Sequence, residues 1–484
     1  MIQIEQTLEE MKSIFLGSSD LFVRKLVSGG TSLAFVFLDG LTDKDLLERD
    51  ILRPLLQAKE FAPPYAETLR QTTFFSEEIK QYDTAEEICT NIAQGDIALV
   101  IDGAEKFYLF SLRKYNTRSI VEPPSESVSR GPREGFIEDM KTNVSLIRRK
   151  IRSPKLVVDT VKVGKYSSTP ISICYINGVV DDNIVSKVKE RISKIDIDGI
   201  IDSDYIARFL EERKFSIFSQ VAASEKPDII AAKMLEGRLC VIVDGSPVVL
   251  TLPYALVEDL QDSYDYYNNS WRSSMVRAIR LMGGLLTVLL PGAYVALQSY
   301  HYQMLPLKFL LTLLSSIKGL PFTPEIEMLI VLVLFEILSQ ASIRMPRLMG
   351  VSLSIVGAIV LGDTAVKAGI ISSPAVLVTA LSAIGIFCIP DQVAQMSILR
   401  FAFLCVSAVL GLYGILFCLI ILVCYLASIN GYGTPFLAPF APVIVPDLKD
   451  SIIVDSVIGM KKRPFSFPNK NRNRQPVEKT ENEK

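Results

Sequence analysis

Apolar residues are arranged in two regimes along this chain. Through the first 270 positions they come in short bursts between charged and turn-forming residues; from 281 to 430 they run almost uninterrupted. In the front part, residues 33–41 read LAFVFLDGL and 171–179 read ISICYINGV, displaced by 138 positions. Residues 94–103 read QGDIALVIDG and 236–245 read EGRLCVIVDG, displaced by 142. Each is a buried-strand pattern ending in Asp-Gly or Asn-Gly, which tolerate the positive φ of tight turns. The first strand of each pair precedes a helix-like stretch (43–57, 182–194), and the second precedes another apolar strand (107–112, 247–252). Four matching elements in one order predict a duplicated small α/β unit of about 80 residues.

Between the copies, Pro123, Pro124 and Pro132 forbid a continuous helix. Beyond them Phe136, Met140, Val144, Ile147 and Ile151 recur at amphipathic helical spacing. Arg118, Arg130, Arg133, Arg148, Arg149 and Arg152 make this linker basic. A solvated or subunit-facing surface explains them better than a phosphate or headgroup site.

The window 281–430 holds only 11 charged side chains, although the chain has 51 Lys+Arg and 53 Asp+Glu. A bilayer demands such segregation, because a mid-membrane charge costs about 2.5–3.5 kcal/mol. Four spans are predicted at 281–298, 328–343, 368–389 and 401–427, with two short elements at 305–320 and 348–362. Trp271, Arg272, Arg277 and Arg280 form a basic, aromatic flank that marks a cytoplasmic interface. The opening MIQIEQTLEEMKSIFLG lacks the apolar core of a signal peptide, so the front half is expected on the cytoplasmic side. The expected fold class is a soluble α/β half, made of two duplicated subdomains, plus an all-α multi-span transmembrane domain. Its expected divisions are 1–115, the linker and helix 116–152, 153–270, the membrane domain 271–430, and a partly disordered tail 431–484.

A net charge of −2 argues against a nucleic-acid partner. Seven cysteines without a CxxC and one histidine, His301, leave little for a disulfide framework, a zinc site or a nucleophile–base pair. No enzyme activity and no cofactor is expected, and His301 reads as a water-facing residue at the membrane edge. Polar chemistry lies inside the membrane instead. Glu336 is a functional candidate by default, with an ion pair to Arg344 or Lys367 as the structural alternative. Asp363 and Lys367 stand one helical turn apart and can pair with each other. The small-residue segment 348–362 suits close helix packing. Copies of it from several subunits could also surround a conduit, with Ser352 and Ser354 inside and Asp363 at one mouth.

Several stretches resemble the A subunits of GerA-type spore germinant receptors: TRSIVEPPSESVSRGPREGFIEDMKTNVSLIRRKI (117–151), Lys226-Pro227-Asp228, MLEGR (234–238) and Asp265-Tyr266-Tyr267. The resemblance continues through Pro321-Phe322-Thr323-Pro324, FEILSQASIRMP (335–346), GDTAVKAGIISS (362–373) and Asp447-Leu448-Lys449-Asp450. It departs from the family's usual pattern at Ser339, Gln340 and Ser342, where an Arg-Glu pair and a glycine are common, and at Lys226, where arginine is common. The resemblance implies a complex in the spore inner membrane with a permease-like B subunit, expected to bind the nutrient, and a lipoprotein C subunit. The A subunit is then expected to form a homo-oligomer, a pentamer, and to open a cation path. Its candidate ion-path residues are Glu336, Ser352, Ser354, Val360, Asp363, Val366 and Lys367. The coupling candidates in the linker are Arg118, Glu122, Arg130, Arg133 and Glu134. A secondary transporter using Glu336 and Asp363, and a non-conducting scaffold, are the rival readings.

Overall fold

The structure, a computed structural model, describes residues 2–58, 60–73, 79–114, 126, 131–344, 362–456 and 458–475. Strands β1 (Leu21–Ser28), β2 (Thr31–Leu38), β3 (Lys80–Tyr82), β4 (Ile97–Ile101) and β5 (Phe107–Phe110) form an antiparallel sheet ordered β1-β2-β4-β5-β3. Strands β6 (Leu156–Val163), β7 (Thr169–Ile176), β8 (Ala222–Ser224), β9 (Leu239–Val243) and β10 (Val249–Leu252) repeat that order as β6-β7-β9-β10-β8.

Helices cover both faces of each sheet. In the first, Met11 and Ile88 of helices Ile4–Ile14 and Ala85–Ile92 pack on Val36 and Val100. On the opposite face Ile51 and Leu69 pack on Phe35 and Leu99. The second sheet is sandwiched alike, by Met140–Lys150 with Pro227–Leu235 and by Asp182–Ser193 with Ser203–Leu210. Double-sided burial is why the central strands read as continuous apolar runs rather than alternating ones. The repeated unit is therefore larger than its four legible elements, since each copy also has a leading helix, an outer hairpin strand and a short edge strand. The linker's amphipathic helix begins at Met140, where the Asp139 side chain accepts from the Thr142 amide at 2.8 Å. It occupies the place in the second unit that Ile4–Ile14 occupies in the first.

The two units are locked together. Arg148, 1% exposed, donates from Nε and Nη2 to both Asp20 carboxylate oxygens at 2.8 Å. Beside it, the Ser19 amide donates to the Val158 carbonyl at 2.8 Å.

The membrane half starts with helix Ser270–Ser299. Helix Leu307–Ile317 has 11 residues, about 16 Å at 1.5 Å per residue, well short of a ~30 Å hydrocarbon core. Helix Pro324–Arg344 has 21 residues. The expected span 368–389 is shorter than predicted. Ser372 caps a 14-residue helix, Ser373–Ile386, which Pro374 opens. It packs closely against the first membrane helix, and Thr287 and Ser382 exchange side-chain-to-carbonyl hydrogen bonds at 3.1 and 2.8 Å. Among the described helices, Ser270–Ser299 and Pro390–Ala427 are long and apolar enough to cross a membrane by length and composition.

The last of these corrects the expectation of one tilted span over 401–427. Within Val393–Ala427, Gly411 has φ 58° and ψ −142°, and the chain folds back on itself. A Cβ on Gly414 would stand 2.8 Å from the Val406 carbonyl oxygen, whereas residues eight apart in a straight helix are about 12 Å apart. Leu399 and Leu422, on opposite arms, share one apolar cluster. Both feet of this hairpin touch the second α/β unit: Gln392 bonds Asp259 at 2.7 Å and Tyr425 meets Ser216 at 3.1 Å. Consequently the tail from 430 onward starts on the same side as the soluble half. At the opposite end, the Tyr300 hydroxyl donates to the Ala408 carbonyl, and His301 is half-buried against Tyr413 rather than simply water-facing.

Gly411→Ala should lower stability by about 1–3 kcal/mol, through the left-handed φ and through crowding. Its Cβ would lie 2.9 Å from His301 Cε1 and 3.1 Å from Tyr300 Cβ. Thermal unfolding in detergent checks this against Gly362→Ala, where an added Cβ meets nothing within 4 Å.

Candidate functional site

Glu336 lies on helix Pro324–Arg344, facing the ascending arm of the hairpin. Its Oε2 accepts from Arg400 Nη2 at 3.0 Å and from Ser397 Oγ at 2.8 Å. The partner is thus Arg400, which is fully buried, and not Arg344 or Lys367. Phe335 and Phe401 rings flank the guanidinium at 5.9 and 5.7 Å. Among the described residues, Arg400 Nε and Nη1 are buried without a hydrogen-bond partner. The site holds an ion pair between a fully buried guanidinium and a carboxylate 31% exposed, with guanidinium capacity left over for a further acceptor.

Among the described ion-path candidates, Asp363, Val366 and Lys367 are not gathered around Glu336. Lys367 pairs with Asp363 at 2.8 Å on an exposed turn, as the spacing predicts, and Val366 between them is half-buried. That turn belongs to the far side, because Ala365 packs with Leu305, Met328 and Ile371. Ser352, Ser354 and Val360 lie outside the described residues, as do Arg118, Glu122 and Arg130 of the linker. Of the remaining linker candidates, Arg133 is exposed, and Glu134 pairs with Arg149 at 3.2 Å and Lys150 at 3.5 Å.

A second site lies where the soluble half meets the membrane helices. The basic flank of the first span is not all solvated, for Arg277 is fully buried. It bonds Asp265 at 3.0 Å, Asp450 Oδ1 at 3.0 Å, and the carbonyls of Asp450 and Ser451 at 2.9 Å. Arg280 adds a 2.7 Å bond to Asp265 and a 2.9 Å bond to the Leu260 carbonyl. The Tyr266 hydroxyl donates to Asp450 Oδ2 at 2.9 Å. The Asp-Tyr-Tyr motif, the foot of the first membrane helix and the tail's Asp-Leu-Lys-Asp motif therefore form one clasp. Adjacent to it, Lys226 is buried with Nζ 2.9 Å from Ser263 Oγ, and the Tyr267 hydroxyl donates to Asp228 at 3.0 Å. Arg238 of the MLEGR motif pairs with Glu258 at 2.6 Å and stacks 3.8 Å over Phe467 of the tail. Sequence reasoning found these motifs singly. Their convergence joins residues as far apart as Arg238 and Phe467, and no local periodicity signals it.

Burial pushes two carboxylates here, Glu126 and Asp259, up to about 7, and the Asp391 charge pushes them the same way. Hydrogen bonds from Ser224 to Glu126 at 2.8 Å and from Tyr254 to Asp259 at 2.5 Å oppose the shift. Unfolded, both groups titrate near their ordinary values of about 4. Between about 4 and 7 the folded chain holds more protons than the unfolded one, so stability falls as pH rises through that window. Melting temperature should therefore drop from pH 5 to pH 8, and the drop should be smaller in Asp259→Asn. Equal pH slopes in the two proteins would contradict the assignment.

Residues 9–466 match the family model described as Bacillus/Clostridium GerA spore germination protein. Spore germination protein KA of Bacillus subtilis is 33% identical over 98% of this chain and 88% of its own length. Spore germination protein GerLA of Bacillus cereus is also 33% identical, over 99% of both chains. Among solved structures, the N-terminal domain of the A subunit of the Bacillus megaterium spore germinant receptor GerK3 is similar at 24% identity. That match covers 50% of this chain and 92% of the domain, with a TM-score of 0.39. With a match running nearly from end to end, this chain belongs to the GerA family of spore germination proteins, a family of germination proteins rather than enzymes.

Proposed function

We propose that this chain is the membrane-embedded A subunit of a spore germinant receptor. In this reading it sits in the spore inner membrane with its α/β half and tail on the core side. It assembles as a homo-oligomer with a permease-like B subunit, which binds the nutrient, and a lipoprotein C subunit. Nutrient binding then opens a cation path through the oligomer. The observation that carries the reading is the alignment of nearly the whole chain with germination proteins, soluble and membrane halves together.

The geometry supports a division of labour within it. Arg277 ties the first membrane helix to both the second α/β unit and the tail, so motion of the soluble half must be felt at that helix. Helix Pro324–Arg344 runs from Ser299, at the far end, toward the α/β side, and the described chain resumes on the far side at Gly362. A conduit formed by copies of 348–362, with Asp363 at its far mouth, fits that path. An ion-coupled transporter needs Glu336 free to take up a proton or cation. Its engagement by Arg400 and Ser397 favours the conduit reading.

Spores carrying Val366→Ala should release ions and germinate without nutrient, because a smaller side chain near the mouth weakens the closed state. Spontaneous loss of refractility, compared with the parent strain, measures this. Glu336→Gln spores should respond weakly to nutrient or with altered ion preference. Normal germination in a Glu336→Gln strain that still assembles the receptor would remove that residue from the path.

A further inference from the structure

Residues 211–219 read EERKFSIFS and form a loop of the second α/β unit against the descending foot of the membrane hairpin. Ser216 Oγ lies 3.1 Å from the Tyr425 hydroxyl, the Ile217 amide donates to that hydroxyl at 3.3 Å, and Arg213 Nη1 donates to Ser428 Oγ at 3.0 Å. Phe218 is buried in a cluster with Tyr425 and Leu426. Gln220 closes the loop, accepting from the Arg213 amide at 3.1 Å and donating to the Arg213 carbonyl at 2.9 Å. A loop fixed this way nevertheless leaves Phe215 98% exposed and Ile217 44% exposed.

Held at that level, the loop cannot avoid the bilayer surface. On the same arm, Phe417, Ile420 and Ile421 are exposed apolar side chains of the uncharged hairpin, and Tyr425 follows within about one turn. Aromatic rings beside basic residues are characteristic of the headgroup layer, where the ring meets acyl chains and the cations meet lipid phosphates. The exposed cations Arg213 and Lys214 supply that partner chemistry. Of the loop's two acidic residues, Glu211 accepts from the Gln220 amide and Glu212 from the Tyr432 amide, so both are engaged inward.

We infer that this loop is a membrane anchor, with Phe215 and Ile217 inserted at the lipid interface and Arg213 and Lys214 among anionic headgroups. It would fix the height of the second α/β unit above the bilayer independently of the clasp at Arg277. The inference rests on bilayer embedding alone and not on the germination role.

The chain's sole tryptophan, Trp271, makes a direct test practical. Full-length Trp271→Phe/Phe215→Trp protein is reconstituted in phosphatidylglycerol-containing vesicles, with ordinary or acyl-brominated lipid. Trp271→Phe/Val27→Trp, with its indole in the first unit, is the reference. The indole at position 215 should emit at shorter wavelength than the reference and lose emission selectively in brominated lipid. Unchanged emission at 215 in brominated lipid overturns the proposal. A blue-shifted emission insensitive to brominated lipid overturns it too, because it assigns the patch to a protein surface.

Discussion

Arg277→Ala should destabilise the protein by about 3–5 kcal/mol, the range for removing one partner of a buried ion pair. The guanidinium is fully buried and binds two carboxylates and two backbone carbonyls drawn from two other segments of the chain. Without it, Asp265, 2% exposed, keeps Arg280 and the Asp262 amide, and burial of Asp450 has less to offset it. Burial already raises the Asp450 carboxyl above its ordinary range, and Arg277 is the leading influence that lowers it. Loss of so large a share of a typical 5–15 kcal/mol total predicts little mature protein in the membrane. Arg277→Lys keeps the charge but cannot fill the same four acceptors in one plane, so it should recover only part. Thermal unfolding and limited proteolysis of the tail read both effects. Wild-type stability in Arg277→Ala would show that the clasp does not hold the tail.

The Glu336–Arg400 pair gives the second large effect, and its double variant separates structure from function. Arg400→Leu alone strands the Glu336 carboxylate in an apolar bundle and should again cost about 3–5 kcal/mol, as should Glu336→Leu for the stranded guanidinium. The double variant Glu336→Leu/Arg400→Leu removes both charges and both desolvation penalties. It should return close to wild-type stability, since apolar replacement of a buried pair is often neutral or stabilising. Unfolding of all three variants in matched detergent gives the coupling energy directly. A double variant as unstable as the worse single one would mean that the charges are held chiefly by other groups. If the stable double variant reaches the spore membrane, its germination response reports whether the charges serve conduction.

Much of the fold is legible in the sequence, for identifiable reasons. The four buried strands β2, β4, β7 and β9 announce themselves because helices cover both their faces and Asp-Gly or Asn-Gly turns end them. Edge strands β3 and β8 have three residues each and are mostly polar or small, so neither propensity nor pattern marks them. Charge segregation exposes the membrane half, but hydropathy cannot show a hairpin. Within 27 uncharged residues, Gly411 is one of two glycines, and only its backbone angles reveal the reversal. The partner of Glu336 is missed because Arg400 stands 64 positions away, while Arg344 and Lys367 are nearer in sequence. The clasp is hidden for the same reason: Asp265 and Asp450 carry no local sign that one arginine joins them.

The proposed conduction of cations by this chain within a nutrient-gated receptor is tested most directly by a planar-bilayer recording of the chain co-purified with the proposed B and C subunits. Unitary cation-selective current steps should appear on adding nutrient, with an amplitude that saturates with ion concentration. Nutrient-dependent flux without unitary steps, or no current from a fully assembled complex, would contradict it.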